Sequence, residues 1–474
     1  MKEKLNLVGK EDVLRFISDK GVKILNLCHI PEDGRLKTLS FSASDKKEVN
    51  EILESGERVD GSSLFSYIDP DNSDIYITPK PNTAFLNPFH SEPTLNVLCR
   101  YLDQNGKPFD AAPENILCKA EQKLRSSTNI ALRALAELEF YIISWPESKI
   151  LFPTVADQHY HESAPFSQFE DLRNEILVTL ADVGIVTKYG HAEVGSIQGE
   201  SSTAIEQHEI ELALESFTRM AETIAVTKWV TRNVCARHGV AVSFSPKIAL
   251  EHAGSGMHLH LCGLRNNKNV IADSDGNTSA EAKKMIGGIL KFAPSLTAFG
   301  NTIPVSYLRF FSRKESPMNI CWGARNRLAL IRIPLWWDFR KVKEEIDATK
   351  RTFEFRAPDA SANPHLLLAG ISIAIEYGFK HPREALQIAE GLHIERGGKV
   401  EKEGFGLLPQ SCAESAANIE NDRKFYEADG VFPAEVIDGT IRKLRSYKDK
   451  SMLQRLKNEP RKIQDLMQTY LHYG

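Results

Sequence analysis

No C-x-x-C pair occurs among the seven cysteines (Cys28, Cys99, Cys118, Cys235, Cys262, Cys321, Cys412), and their number is odd. Both features argue against a disulfide framework or a zinc ribbon and for reduced, mostly buried thiols. No stretch approaches about eighteen uninterrupted apolar residues, and the opening "MKEKLNLVGKEDVLRF" has no apolar signal core; neither a membrane span nor a secretory leader is expected, which places the protein in the cytoplasm. Charge of one sign is not in excess either. A net charge of −4 gives no electrostatic reason for a nucleic-acid or membrane partner, so the expected partners are small molecules and further copies of the chain. There is no internal repeat and no low-complexity segment. What is present is 474 residues, 42% hydrophobic and 26% charged, enough for a sizeable core and for two or three domains.

Residues 1 to about 108 read as a small α+β unit. "EDVLRFISDKG" is an amphipathic helix stopped by Gly21, and "VKILNLCHI" and "RLKTLSFSA" are strands joined across the turn "PEDG". The helix "DKKEVNEILESG" and the strands "DIYITP" and "LNVLCRYL" follow. Beyond them Pro113 opens the helix "PENILCKAEQKLRSS". Further helices are expected in "SQFEDLRNEILVTLADVG", "ESFTRMAETIAVTKWVTRNVCARHG" and "HLLLAGISIAIEYGF", with strands between them and a charged, helical tail of about sixty residues. "DSDGN" at 273–277 lacks the downstream spacing of a calcium loop and reads as a turn.

The chemistry lies in pairs. "ALAELEFYII" puts Glu137 and Glu139 two apart in a strand-like run, so both point to one face while Leu138 points to the other. A solvated sheet face and a cation site both accommodate such acids. The same spacing recurs in Glu209 and Glu211 of "QHEIELAL", His258 and His260 of "GSGMHLHLCGL", and Glu354 and Arg356 of "RTFEFRAP". Solvated faces mix Lys, Thr, Ser and Gln with their acids, whereas these positions carry groups that bind metals and phosphates. Several carboxylates in one cavity raise one another's pKa unless divalent ions neutralise them, which favours Mg²⁺ or Mn²⁺ over zinc. Arg325, Arg327 and Arg332 in "CWGARNRLALIRIP" suit phosphoryl or carboxylate groups. Gly254 and Gly256 let backbone approach a ligand just before the two histidines.

These segments, in this order, resemble type I glutamine synthetases. The resemblance runs from "VDGSS" with "NSD" at 72–74, through "SPKIALEHAGSGMHLHLC" and "RNRLALIRIP", to "FEFRAPDASANPHL". It implies an α+β fold with a small β-grasp-like N-terminal domain (1–108) and a larger catalytic domain (109–474), built on a curved antiparallel sheet with flanking helices and a helical C-terminal tail. Residue by residue it implies one metal ion held by Glu139, Glu193 and Glu209, and a second held by Glu137, His258 and Glu354. It places His260, Arg327 and Arg332 at ATP, Arg327 and Arg356 on the phosphoryl group in flight, and the Gly254 backbone, Arg309 and Glu139, with Glu315, Arg327 and Arg356, on the substrate. Asp60, reaching into a neighbouring subunit, and Glu315, in the closing flap, bind ammonium and take its proton. The implied activity is ATP-dependent ligation of ammonia to glutamate with Mg²⁺ or Mn²⁺, in a dodecamer of two hexameric rings.

The sequence also departs from the family pattern. Val59 occupies an aromatic position, Cys262 a serine position, and Ala253 stands where the family has Asn before Gly-Ser-Gly. "VGSIQGESSTAIEQ" carries an insertion in which Glu206 replaces a usual Gly, and Glu200 or Glu206 are alternatives to Glu209 as ligand. "GFGLLPQS" resembles the family's regulatory loop without its tyrosine, so no adenylylation is expected. Two other readings stand beside ammonia ligation: a γ-glutamyl amide ligase using a polyamine, ethanolamine or another amine, and a non-catalytic homologue. The latter would have lost metal ligands, and here all six positions are matched.

Overall fold

The computed structural model describes residues 5–144, 152, 154–198, 204–311, 316–335, 351–395, 404–456 and 459–474. The N-terminal unit starts with helix α1 (Lys10–Lys20), closed by Gly21 in the left-handed region at φ 60°. Strands β1 (Ile24–His29) and β2 (Lys37–Ser42) form the expected hairpin. Helix α2 (Lys46–Ser55) follows, capped by the Asp45 carboxylate, and then β3 (Glu57–Asp60), β4 (Asp74–Pro79), β5 (Phe85–Leu86) and β6 (Thr94–Leu102). The sheet order is β2-β1-β6-β4-β3, with β5 on β6, and β1 and β6 run parallel. Val13, Ile17, Leu25, Leu27, Val49, Ile77 and Val97 fill a core between sheet and helices. From the same sheet Cys28 and Leu98 join the main core of the chain, so the two units share packing.

The larger sheet, among the described residues, has ten strands. Its main path is β14 (Trp322–Ala324), β15 (Ile331–Ile333), β16 (Phe353–Phe355), β12 (Met257–Arg265), β7 (Ala131–Ser144), β9 (Ala204–Leu212) and β8 (Thr187–Gln198). Short strands β10 (Glu215–Ser216) and β11 (Ala241–Ser243) extend β7, and β13 (Lys268–Asn269) extends β12. All pairings are antiparallel except β14 with β15. Two register shifts in β8, at Thr187/Tyr189 and Ala192/Ser196, bend its edge.

Helices cover one face. They are α3 (Pro113–Thr128), α4 (Glu170–Asp182), α5 (Phe217–Arg237), α6 (Ala280–Gly300), α7 (Pro304–Phe311), α8 (Pro364–Lys380) and α9 (Pro382–Gly391). The helical tail is α10 (Cys412–Tyr426), α11 (Ala434–Ser446), α12 (Met452–Leu456) and α13 (Pro460–Thr469). Helices α6 and α8 cross at Gly288 and Gly378, where an added Cβ would lie 2.0 Å from the carbonyl oxygens of Ala374 and Lys284 respectively. Such an approach lets α8, apolar nearly all round, sit between α6, α3 and α5. Along β7 one face packs on the helices. Ala134, Ala136, Leu138, Phe140 and Ile142 are fully buried towards the helices, which frees the opposite face for Glu137 and Glu139.

Candidate active site

The four strands that carry paired polar residues are consecutive in the sheet: β16, β12, β7, β9. Register then aligns their side chains. Glu354 lies opposite His260, His258 opposite Glu137, Glu137 opposite Glu211, and Glu139 opposite Glu209, which is itself opposite His191 on β8. A period of two along each strand and register across them make one polar patch of residues that are far apart in sequence.

Hydrogen bonds and ion pairs knit this patch together. Glu137 accepts from His260 Nε2 at 2.9 Å and lies 3.2 Å from His258 Nδ1. Glu354 is clamped by Arg356 Nε at 2.8 Å and Arg332 Nη1 at 2.7 Å. Glu139 accepts from the Gly256 backbone N–H at 2.7 Å and from Gln207 Nε2 at 3.2 Å. Arg309 is buried; it donates to the carbonyls of Ala357 and Arg356 and lies 3.1 Å from His258 Nε2. Gly256 is required here, because a Cβ would stand 2.5 Å from the His258 ring and 2.6 Å from the Arg309 guanidinium. The approach that this glycine permits is therefore that of the Arg309 side chain. The Gly254 carbonyl accepts from Gln207 Nε2 at 3.0 Å.

Two groups have ligand atoms within 4.8 Å of one another: Glu137, His260 and Glu354, and His191, Glu193 and Glu209. All six metal-ligand positions named by the family resemblance fall in or against these groups, with His258 Nδ1 between Glu137, Glu139 and Glu354 at 3.2, 3.7 and 3.6 Å. The electrostatics divide the patch. Burial raises the pKa of Glu193, and Glu139 and Glu209 raise it further. Glu209 is likewise raised by burial, then by Glu137 and Glu139. Burial also opposes ionisation of Glu137 and Glu354, but His260 and His258 hold the first well below the usual carboxylate range, and Arg356 holds the second below it. Oxygen-rich donors that repel one another suit hard divalent cations, which would let Glu193 and Glu209 ionise.

A cavity of about 320 Å³ opens beside these groups, lined by Glu139, Asp157, Glu193, Ala253, Gly254, His258, Arg309 and Arg356 among others. Carboxylates and guanidiniums thus face one space. Arg327 is exposed nearby, its carbonyl accepting from the Arg356 guanidinium. Asp60 is on the N-terminal unit, its carboxylate accepting from the Ser62 and Ser63 hydroxyls at 2.7 and 2.6 Å. Those hydroxyls, Ser63 first, hold its pKa well below the usual range. Glu315 and Glu200 lie outside the described residues. Glu206 points to the opposite face of β9 from Glu209, where it accepts from the Gln168 N–H at 3.0 Å and meets His159 Nε2 at 3.2 Å.

Three contributors were not singled out from sequence. His191 follows the rule of two in "GHAEV", since His191 and Glu193 share a face. Gln207 follows the same rule, two residues before Glu209 on the same face of β9, where its Nε2 reaches Glu139. Asp157 follows no local rule and comes from an irregular segment.

A two-unit fold with acids, imidazoles and guanidiniums converging from adjacent strands has the groups that could hold a metal ion and anionic groups together. Family models fix the class of protein. The glutamine synthetase β-grasp domain matches residues 21–104, and the glutamine synthetase catalytic domain matches residues 110–454. The chain belongs to the glutamine synthetase family, a family of ligases. It is 30% identical to the glutamine synthetase of Aquifex aeolicus (93% of this chain, 95% of that one) and 30% identical to that of Escherichia coli K12 (94% and 97%). The fold is shared with the cryo-EM structure of Plasmodium falciparum glutamine synthetase at a TM-score of 0.78 and 21% identity, covering 95% of this chain and 98% of the other. It is also shared with a structure titled "Apo GmaS without ligand" at 0.75 and 21%, covering 93% and 96%.

Proposed function

We propose that the protein is a glutamate–ammonia ligase that makes glutamine, ADP and phosphate from L-glutamate, ammonia and ATP through a γ-glutamyl phosphate. The observation that carries this is a cavity lined by Glu139, Glu193, His258, Arg309 and Arg356, with Glu137, Glu209 and Glu354 in the ligand groups beside it, in a chain matched by the family along most of its length. Carboxylates do not condense with ammonia in water, so the γ-carboxylate must first be activated, and phosphoryl transfer requires positioned positive charge. Arg309 and the Gly254 backbone hold the amino acid. His260 and Arg332 face the nucleotide, while Arg327 and Arg356 steady the phosphoryl group in flight. Two or more Mg²⁺ or Mn²⁺ ions, held by Glu139, Glu193 and Glu209 and by Glu137, His258 and Glu354, supply charge neutralisation when bound. Asp60 of a neighbouring subunit and Glu315 attract ammonium and accept its proton, because ammonium itself is no nucleophile.

The same reading divides the chain at residue 108, supported by β6 ending at Leu102 and α3 opening at Pro113. It assembles the chain as a dodecamer of two hexameric rings with sites between subunits. It also places the chain in the cytoplasm, consistent with the lack, among the described residues, of any helix long and apolar enough to cross a membrane. No adenylylation is expected at "GFGLLPQS"; a nucleotidylated tyrosine found by mass spectrometry would sink that point. The test of function is phosphate release from ATP with glutamate, comparing ammonium with ethanolamine, polyamines and other amines, with and without a chelator. Ammonium should be the preferred acceptor and the chelator should stop release. Preference for another amine would move the protein to the amide ligases, and no release with any acceptor would defeat both.

A further inference from the structure

Ala253 leaves a methyl group where the family motif carries an amide, and Asp157 completes the cavity wall beside it. Asp157 arrives on a segment that lies as an added edge along β8. Its N–H donates to Ser196 O at 3.4 Å, that of His159 to Val194 O at 3.2 Å, and that of His161 to Ala192 O at 2.9 Å. Behind β9 the buried Glu206, in the inserted stretch, fixes this segment through the Gln168 backbone and His159. The Asp157 carboxylate lies 3.2 Å from Nδ1 of His252, the residue before Ala253. The Ala253 carbonyl in turn accepts from the Tyr141 hydroxyl at 2.8 Å. Asp157, Glu139 and Glu193 all line the cavity. Glu139 is engaged by the Gly256 N–H and Gln207, and Glu193 sits with His191 and Glu209. Asp157 belongs to neither metal-ligand group, yet it faces the cavity that Arg309 and Arg356 also line.

A zwitterionic amino acid needs guanidinium for its carboxylates and an anion for its ammonium group. We infer that Asp157 binds the α-ammonium group of the amino-acid substrate, in place of the amide that Ala253 lacks. This makes it a specificity-determining residue, and the assignment rests on the glutamate reading above. Glutarate, which is glutamate without its α-amino group, isolates the contact.

Titration calorimetry with the Mg²⁺-loaded protein and a non-hydrolysable ATP analogue would compare glutamate and glutarate on the wild type and on Asp157→Asn. The variant should bind glutamate about tenfold more weakly or worse, as for loss of a charge-assisted hydrogen bond, and bind glutarate as the wild type does. The KM for glutamate should rise in step while the KM for ATP stays put. An equal loss for both ligands would make Asp157 a structural residue and overturn the assignment, as would no loss for either. If the wild type releases phosphate with glutamate and ammonium, those outcomes remove only the role of Asp157. A wild type that neither binds nor turns over glutamate removes both readings.

Discussion

At the scale of single residues, the site is two electrostatic halves joined by one strand. The pKa values of Glu137 and Glu354 are lowered by imidazoles and a guanidinium, whereas those of Glu193 and Glu209 are raised by burial and by other acids. Glu139 stands between them, bonded to the Gly256 backbone. Glu139→Gln keeps an oxygen for that N–H and removes the charge, so turnover should fall by about a hundredfold or more with a thermal midpoint within a few degrees of wild type. Near-normal turnover would return the strand to an ordinary solvated face. The raised pair makes a second prediction, whose sign follows from linkage. An acid whose folded pKa exceeds its unfolded value stabilises the protein below the unfolded pKa, and that contribution is lost as pH rises through the folded one. Glu137 and Glu354 are shifted the other way and do not add to this loss. In a chelator, the melting temperature should therefore fall as pH rises above the ordinary carboxylate range. Mg²⁺ or Mn²⁺ should restore it, with proton release measurable by calorimetry in buffers of different ionisation enthalpy. A metal effect independent of pH in this window, or absent, would contradict the placement of an ion at Glu193 and Glu209.

At the scale of elements, what was legible in the sequence was local. Caps and stops marked α1, α3 and α4, and the rule of two marked β7, β9, β12 and β16, because each of those signals lies within a few residues. Strand order was not legible: that β16, β12, β7 and β9 are neighbours is a property of pairing between residues as distant as Ala131 and Leu264. The three-residue strands β14 and β15 are too short to show a period, and the register shifts in the pairing of β8 with β9 have no local signal. Asp157 was invisible for a related reason, since its place depends on the edge of β8 and on Glu206 behind β9. That tether is open to measurement. Glu206→Ala strips buried partners from His159 and the Gln168 N–H, a loss of about 1–3 kcal/mol. The urea midpoint should drop accordingly, and proteolysis between residues 154 and 168 should quicken. An unchanged midpoint and cleavage rate would show that β8 alone holds the segment.

At the scale of the whole molecule, the proposed ammonium site is divided. Asp60 sits at the end of β3 on the N-terminal unit, with its carboxylate fixed by Ser62 and Ser63, and it is not among the residues lining the cavity of its own chain. If Asp60 serves the cavity of the next subunit, each site takes Asp60 from one copy and Glu315 from another, and neither copy alone is complete. That arrangement makes a prediction no single-chain site would share. Asp60→Ala and Glu315→Ala should each be nearly inactive when purified alone. Coexpressed in equal amounts they should form mixed assemblies in which about a quarter of the sites draw both native acids, and so recover about a quarter of the wild-type activity. The recovery should appear only after the subunits have been mixed at assembly, and mixing preformed oligomers should give nothing until they exchange. Coexpressed variants that stay as inactive as their parents would place both acids in one chain's site, and an active, stable monomer would dismiss the shared site altogether.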